Sequence, residues 1–181
     1  MNNFEKYSSR LSQILSLVDF NSIENVLHCL NKTIQNNGII YVLGNGGSAS
    51  TASHFVNDLA VVAKRGGTHV RAHCLSDNHA VITAISNDES FDYVFLRQVE
   101  GVLHKNDLLF MISVSGNSRN LLNAAKYAND LNINCVSLLG FDGGILKALS
   151  KEFCLVPTKI GEYGPAEDAH MAICHYLASR I

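Results

Sequence analysis

Three apolar runs in this chain end in loops built from very small and polar residues, and each loop leads straight into a helical pattern. Ile39, Ile40, Val42 and Leu43 lead into "GNGGSAS" (Gly44–Ser50). Met111 and Ile112 lead into "SVSGNS" (Ser113–Ser118), and Leu139 into "GFDGG" (Gly140–Gly144). Each order reads as a buried strand, a tight turn and a helix start. Strand and helix alternating along one chain produce a parallel sheet covered on both faces, with the loops that follow the strands gathered at one edge. In such a sheet the ligand sits outside the carboxyl ends of the strands. The expected fold class is therefore α/β, and its small polar loops lie where a ligand would bind.

The rest of the chain fits that frame as one domain of 181 residues. Residues 1–37 read as a helical pair ahead of the sheet. Phe4, Tyr7, Leu11, Ile14 and Val18 share one helical face; Ile23, Val26, Leu27, Leu30 and Ile34 carry a second helix, with Asn21 or Ser22 expected to cap it and Gly38 to close it. Strands are expected over Ile39–Leu43, His69–Leu75, Asp107–Ser113, Asn134–Leu139 and Phe153–Val156. Helical patterns lie between them over Ser50–Val62, His79–Ser86, Phe91–Leu103, Ser118–Asn129 and Ile145–Ser150, with a last helix from about Pro165 to Arg180. That order predicts a five-stranded, flavodoxin-like parallel sheet with two extra N-terminal helices.

Bulk properties narrow the function classes. A net charge of −2 with 17% charged residues carries no basic excess for nucleic acid. The opening "MNNFEKYSSRLSQ" has no apolar signal core, and no segment approaches the ~18 apolar residues of a membrane span. Cys29, Cys74, Cys135, Cys154 and Cys174 are odd in number and scattered without a Cys-x-x-Cys pair, as expected for reduced thiols in a cytoplasmic protein.

Glycine turns at helix starts hold anions, because first-turn N–H groups are unpaired and the helix dipole is positive there. Walker A requires a lysine that neither loop contains. Gly44-x-Gly46-x-x-Ala49 fits the loose dinucleotide fingerprint, but that motif wants an acidic residue about twenty positions on, at the end of the next strand, and the nearest candidate there is Asp77, thirty-three residues after Gly44. A single sugar phosphate held by hydroxyls and amides fits better. Ser113, Ser115 and Ser118 converge on one helix start, where a cap alone needs one serine.

In this order and spacing, "GNGGSASTASHF", "SVSGNS" and "GFDGG" resemble the sugar isomerase (SIS) domain, closest to its phosphoheptose isomerase branch. The leading helices, "AISND" (Ala84–Asp88) and "EDAHMAICH" (Glu167–His175) extend the resemblance over nearly the whole chain. The resemblance implies interconversion of sedoheptulose 7-phosphate and D-glycero-D-manno-heptose 7-phosphate for a bacterial surface polysaccharide. A non-catalytic SIS protein that senses a sugar phosphate, or binds a partner such as a replication initiator, is the alternative.

Moving a proton between adjacent carbons through an enediol needs a base, an acid near the oxygens and stabilisation of oxyanion charge. His54 and Asp58 stand four apart on the helix after the first loop and share a face; Glu167, His170 and His175 on the last helix are further candidates. The resemblance implies zinc held by His54, Asp58, Glu167 and His175, with Asp58 and His175 as proton-transfer groups. It implies substrate contacts at Asn45, Gly46, Gly47, Ser48, Asp58, Asn87, Asp88, Ser113, Val114, Ser115, Ser118 and Glu167. The family usually has Glu where this chain has Asp58, and Gln where it has Glu167. Asp58 is one methylene shorter, and Glu167 adds a negative charge. His170, about 140° around the helix from His175, is expected to be a buried, hydrogen-bonded histidine, and Asp142 a turn residue.

Glu167 and His175 are separated by about 12 Å of helix rise, too far for both to meet one ion easily. Either only one is a ligand, or they serve different copies of the site. The surplus apolar faces of residues 1–37 suit helix packing between subunits, and the resemblance implies a homotetramer with sites at subunit interfaces. In it the last helix of one chain would complete a pocket begun by the glycine loop of another.

Overall fold

Five strands form one sheet: β1 (Ile39–Gly44), β2 (Arg71–Cys74), β3 (Leu108–Ser113), β4 (Asn134–Leu139) and β5 (Glu152–Leu155). The structure, a computed structural model, describes residues 3–66 and 69–181, so residues 1–2 of the expected helical pair lie outside it. All pairings are parallel and the order is β2-β1-β3-β4-β5. This is the flavodoxin-like order, with its reversal of winding between β1 and β3.

Around the sheet lie α1 (Asn3–Leu17), α2 (Phe20–Gln35), α3 (Gly47–Gly66), α4 (His79–Asp88), α5 (Leu96–Val99), α6 (Arg119–Asp130), α7 (Leu146–Leu149) and α8 (Tyr163–Ser179). Every residue of β3 is buried, because helices cover both of its faces. Alternate residues serve different layers. Leu108, Phe110 and Ile112 pack with Val26, Leu30, Phe55, Leu59 and Leu177, from α2, α3 and α8. Leu109 and Met111 pack with Val94, Phe95, Leu121 and Ala125 on the other side. Phe55 and Phe110 meet at 5.0 Å between ring centroids, joining α3 to the central strand. Truncating either buried ring to Ala would cost about 3–5 kcal/mol.

The expected strands are all present, with ends shifted by up to two residues. The helix boundaries carry the corrections. Asp19 rather than Asn21 or Ser22 caps α2, its carboxylate accepting the Asn21 N–H at 3.0 Å. At the other end Asn37 takes the left-handed position (φ 54°) and the Gly38 N–H bonds Thr33 O at 2.9 Å. Gly38 is required for a different reason: a Cβ there would overlap the Asn106 carbonyl. Phe91–Leu103 is not one helix. A 3₁₀ turn (Phe91–Tyr93), capped when Ser90 Oγ accepts the Asp92 N–H, breaks from α5 so that Val94, Phe95 and Val99 all reach the core. α3 begins three residues before the expected start, inside the glycine loop, and α8 begins at Tyr163.

Among the described residues no helix is long and apolar enough to cross a membrane. The five cysteines are free thiols and all except Cys74 are buried.

Candidate active site

The loops after β1 and β3 flank the reversal in strand order, the position where open sheets of this kind bind ligands. β1 ends at Gly44, Gly46 turns the chain with φ 54°, and Gly47 opens α3. At the start of α3 the Ala49 and Ser50 N–H groups bond back to the Asn45 and Gly46 carbonyls. A Cβ at residue 47 would overlap the Glu167 carboxylate, so Gly47 lets α8 bring that side chain directly onto the start of α3.

A cavity of about 240 Å³ opens there. Asn45 and Ser48 line it from the first loop; Ser113, Val114, Ser115 and Ser118 line it from the second; Tyr163 and Glu167 close it from α8. Ser113 Oγ accepts the Gly116 N–H at 3.1 Å and Ser115 Oγ accepts the Asn117 N–H at 3.3 Å. Both hydroxyl protons therefore stay available to an anion. Ser118 occupies the N-cap position of α6, yet its side chain makes no capping bond. Its hydroxyl is uncommitted, which is the state expected of a ligand contact rather than a cap. The loop is braced by the third one: a Cβ on Gly116 (φ 62°) would overlap the Gly143 carbonyl, and the Leu146 N–H bonds Gly116 O at 2.9 Å. Asp142 is the turn residue expected, its Oδ1 accepting the Gly144 N–H.

Farther along the same two helices, His54 and Asp58 of α3 meet His175 of α8. His54 Nε2 lies 3.4 Å from Asp58 Oδ2, His175 Nε2 lies 3.7 Å from the same oxygen, and the two imidazole nitrogens are 3.1 Å apart. Their ligand atoms all lie within 4.8 Å of one another, as a metal-binding group requires. The histidine side chains are about half exposed, so one side of the group is open.

Two expectations change here. Within one chain, α8 itself brings His175 to His54 and brings Tyr163 and Glu167 to the serine pocket. α3 and α8 pack side by side, so that Glu167 and His175 meet different parts of α3, Gly47 and His54. Glu167 is not in the three-residue group; its carboxylate stands at Gly47, in the serine pocket. Asn87 and Asp88 are exposed at the end of α4, bonded to each other at 2.9 Å, and line neither this pocket nor the cleft beside it.

Several residues of the site escaped the sequence reading. Asn120, 2% exposed, exchanges two 2.9 Å amide hydrogen bonds with Asn45 and so holds the glycine loop against α6. A wider cleft of about 510 Å³ begins at His54 and is lined by Ser50, Ser53, Asn57, Asp77 and His79. Ser50, Ser53 and Asn57 recur at helical spacing beside His54, the one signal that could have marked that face. Burial and the neighbouring Asp77 push the Cys74 thiol up to about 12, which keeps it protonated and unreactive. His170 is fully buried, as expected, but neither ring nitrogen has the expected hydrogen-bond partner among the described residues.

The chain belongs to the SIS domain family, whose sequence profile matches residues 3–140. A phosphoheptose isomerase of Helicobacter pylori (strain Shi470) is 41% identical over 155 residues, covering 86% of this chain and 80% of that one. The phosphoheptose isomerase GmhA from Neisseria gonorrhoeae superposes with a TM-score of 0.87 at 29% identity, over 98% of this chain and 94% of that one. A phosphoheptose isomerase from Francisella tularensis superposes with a TM-score of 0.88 at 26% identity, over 99% and 97%. Within the family, the branch is that of the phosphoheptose isomerases.

Proposed function

We propose that this chain interconverts sedoheptulose 7-phosphate and D-glycero-D-manno-heptose 7-phosphate, binding the phosphate in the serine pocket and the reacting carbons at His54, Asp58 and His175. The observation that carries the reading is the pairing of these two sites along one helix pair. From Ser48 to His54 is about 9 Å of helix rise, and from Glu167 to His175 about 12 Å. With carbon–carbon bonds of about 1.5 Å, an extended seven-carbon chain and its phosphate ester span about 10 Å. A phosphate seated among Ser113, Ser115 and Ser118 then presents C1 and C2 to the three-residue group.

The same group suits zinc. Ligands at about 2.0–2.1 Å from a tetrahedral ion lie about 3.3 Å from each other. The three separations here are 3.1, 3.4 and 3.7 Å. Two imidazoles, one carboxylate and an open side make up a catalytic rather than a structural set. Bound there, zinc would polarise the sugar oxygens and stabilise developing oxyanion charge. Asp58 and His175 are the groups within reach to take a proton from one carbon and return it to the next. Asn45 and the Gly46–Gly47 backbone, beside the pocket mouth, would hold sugar oxygens. Asn87 and Asp88 are left out of this assignment.

Exposed Phe4, Leu17 and Phe20 on α1 and α2 support a homo-oligomer, a tetramer in our reading. The free thiols suit the cytoplasm, where heptose for a surface polysaccharide would be made. The intact three-residue group weighs against a purely binding SIS protein. Incubation with sedoheptulose 7-phosphate, followed by phosphorus NMR with and without a chelator, tests the reading. A new phosphate resonance that chelation suppresses is expected; an unchanged spectrum sinks it.

A further inference from the structure

We propose that Arg10 and Tyr7 of α1 are positioning residues for the phosphate pocket: α1 clasps the entry of α8 and so holds Tyr163 and Glu167 in the pocket wall. The proposal rests on reading that pocket as the phosphate site.

Arg10 grips the Glu162 carboxylate with both forks, Nε to Oε1 at 2.9 Å and Nη2 to Oε2 at 2.8 Å. Glu162 is the residue just before α8, and its Oε2 also accepts the Lys159 N–H at 2.7 Å. One carboxylate thus joins α1 to the turn that aims α8, a turn that passes through Gly161 at φ 94°. Six residues on, Tyr7 Oη donates to Asp168 Oδ2 at 2.5 Å. Between these two ties the hydroxyl lies against Gly164, where a Cβ would come within 3.2 Å of it. The first two turns of α8 are therefore held at both ends by one face of α1.

What lies between the ties is the pocket wall. Tyr163 follows Glu162 directly and meets Phe141 of the third loop edge-on at 5.1 Å. Glu167 precedes Asp168 and stands against Gly47. Neither Arg10 nor Tyr7 lines the pocket, so they act only through these neighbours. Bidentate guanidinium–carboxylate pairing restricts orientation as well as distance, which suits a positioning role. Displacing a wall by about 1 Å is enough to change binding severalfold or more.

The full-length variants Arg10→Ala, Arg10→Lys and Tyr7→Phe are compared with the parent and with Ser118→Ala. The readouts are sedoheptulose 7-phosphate affinity by calorimetry, KM and kcat, and melting temperature. Arg10→Ala is expected to raise Kd and KM roughly tenfold with a smaller change in kcat. Tyr7→Phe should do the same more weakly, and Arg10→Lys should restore part of the loss. A lower melting temperature with unchanged Kd and KM would make α1 a purely structural element and overturn the proposal. If Ser118→Ala binds like the parent, the phosphate reading fails and the clasp falls with it. If Ser118→Ala binds weakly while the α1 variants bind like the parent, the clasp alone is overturned. Should Arg10→Ala fail to fold, Tyr7→Phe, which removes one hydroxyl, decides.

Discussion

His54 Nε2 and His175 Nε2 stand 3.1 Å apart across 121 residues of sequence, both on one chain. Every site therefore carries both histidines from the same protomer. Mixing His54→Ala with His175→Ala chains should restore no activity, because each hybrid site still carries one lesion. Subunit exchange is verified by mass, and recovered turnover after exchange would show that the site is shared between chains after all.

The separations among His54, Asp58 and His175 match those of a zinc ion's ligands. His54→Ala and Asp58→Asn should each lower bound zinc, measured by elemental analysis after dialysis, and lower turnover in parallel. Asp58→Glu should keep the metal, since it retains the carboxylate. Full-rate turnover by protein verified as metal-free would leave direct acid–base catalysis as the account.

Ser118 sits at an N-cap position without making a cap bond. An ordinary cap lost to Ala costs about 1 kcal/mol of stability. Ser118→Ala should leave the urea midpoint unchanged and weaken sugar-phosphate binding by about 1.5–3 kcal/mol, the size of a hydrogen bond to a charged group. A drop in stability with unchanged affinity would return Ser118 to a capping role.

Gly47 and Glu167 should be energetically coupled. A methyl on residue 47 overlaps the Glu167 carboxylate, so Gly47→Ala must displace that side chain from the pocket wall. In a Glu167→Ala background the clash is gone and Gly47→Ala should cost little. A double-mutant cycle on affinity and stability reads this directly, and additive effects would contradict it.

The sheet was legible because its strands are buried on both faces. Leu108 to Ile112 are apolar without a break, and glycine or serine marks where each of β1, β3 and β4 stops. Caps were less legible. Asp19, Asn21 and Ser22 are all good capping residues, and only the backbone angle at Asp19 selects it. Phe91–Leu103 has a helical period, but the need to bury Val94, Phe95 and Val99 together breaks it, and periodicity does not encode that need. At the site, loop serines and the His54–Asp58 spacing were visible as local patterns. Asn120 was not, since its partner Asn45 is 75 positions away. The distance between Glu167 and His175 was correctly long. α3 runs beside α8 in the same chain and offers each residue a different neighbour, Gly47 for Glu167 and His54 for His175.

His170 sets a pH dependence of stability. It is buried on α8 with neither ring nitrogen in hydrogen-bond geometry among the described residues. Burial pushes its pKa from 6.5 down to about 4, with the Leu139 carbonyl opposing part of that fall. The folded protein thus binds this proton only near pH 4, whereas the unfolded chain binds it near 6.5. Stability from a neutral His170 is complete above about 6.5 and declines as pH falls toward 4, by about 3 kcal/mol in all. Glu162 adds a separate and lower window. Arg10 and the Lys159 N–H depress its pKa to about 2, so its contribution is present above 4.5 and lost as pH falls from there toward 2. Urea midpoints measured against pH for the parent and His170→Gln separate the two. The variant should lose the slope between 6.5 and 4.5 and keep the steeper loss below it. Identical slopes in both proteins would mean that another group takes up the proton on unfolding.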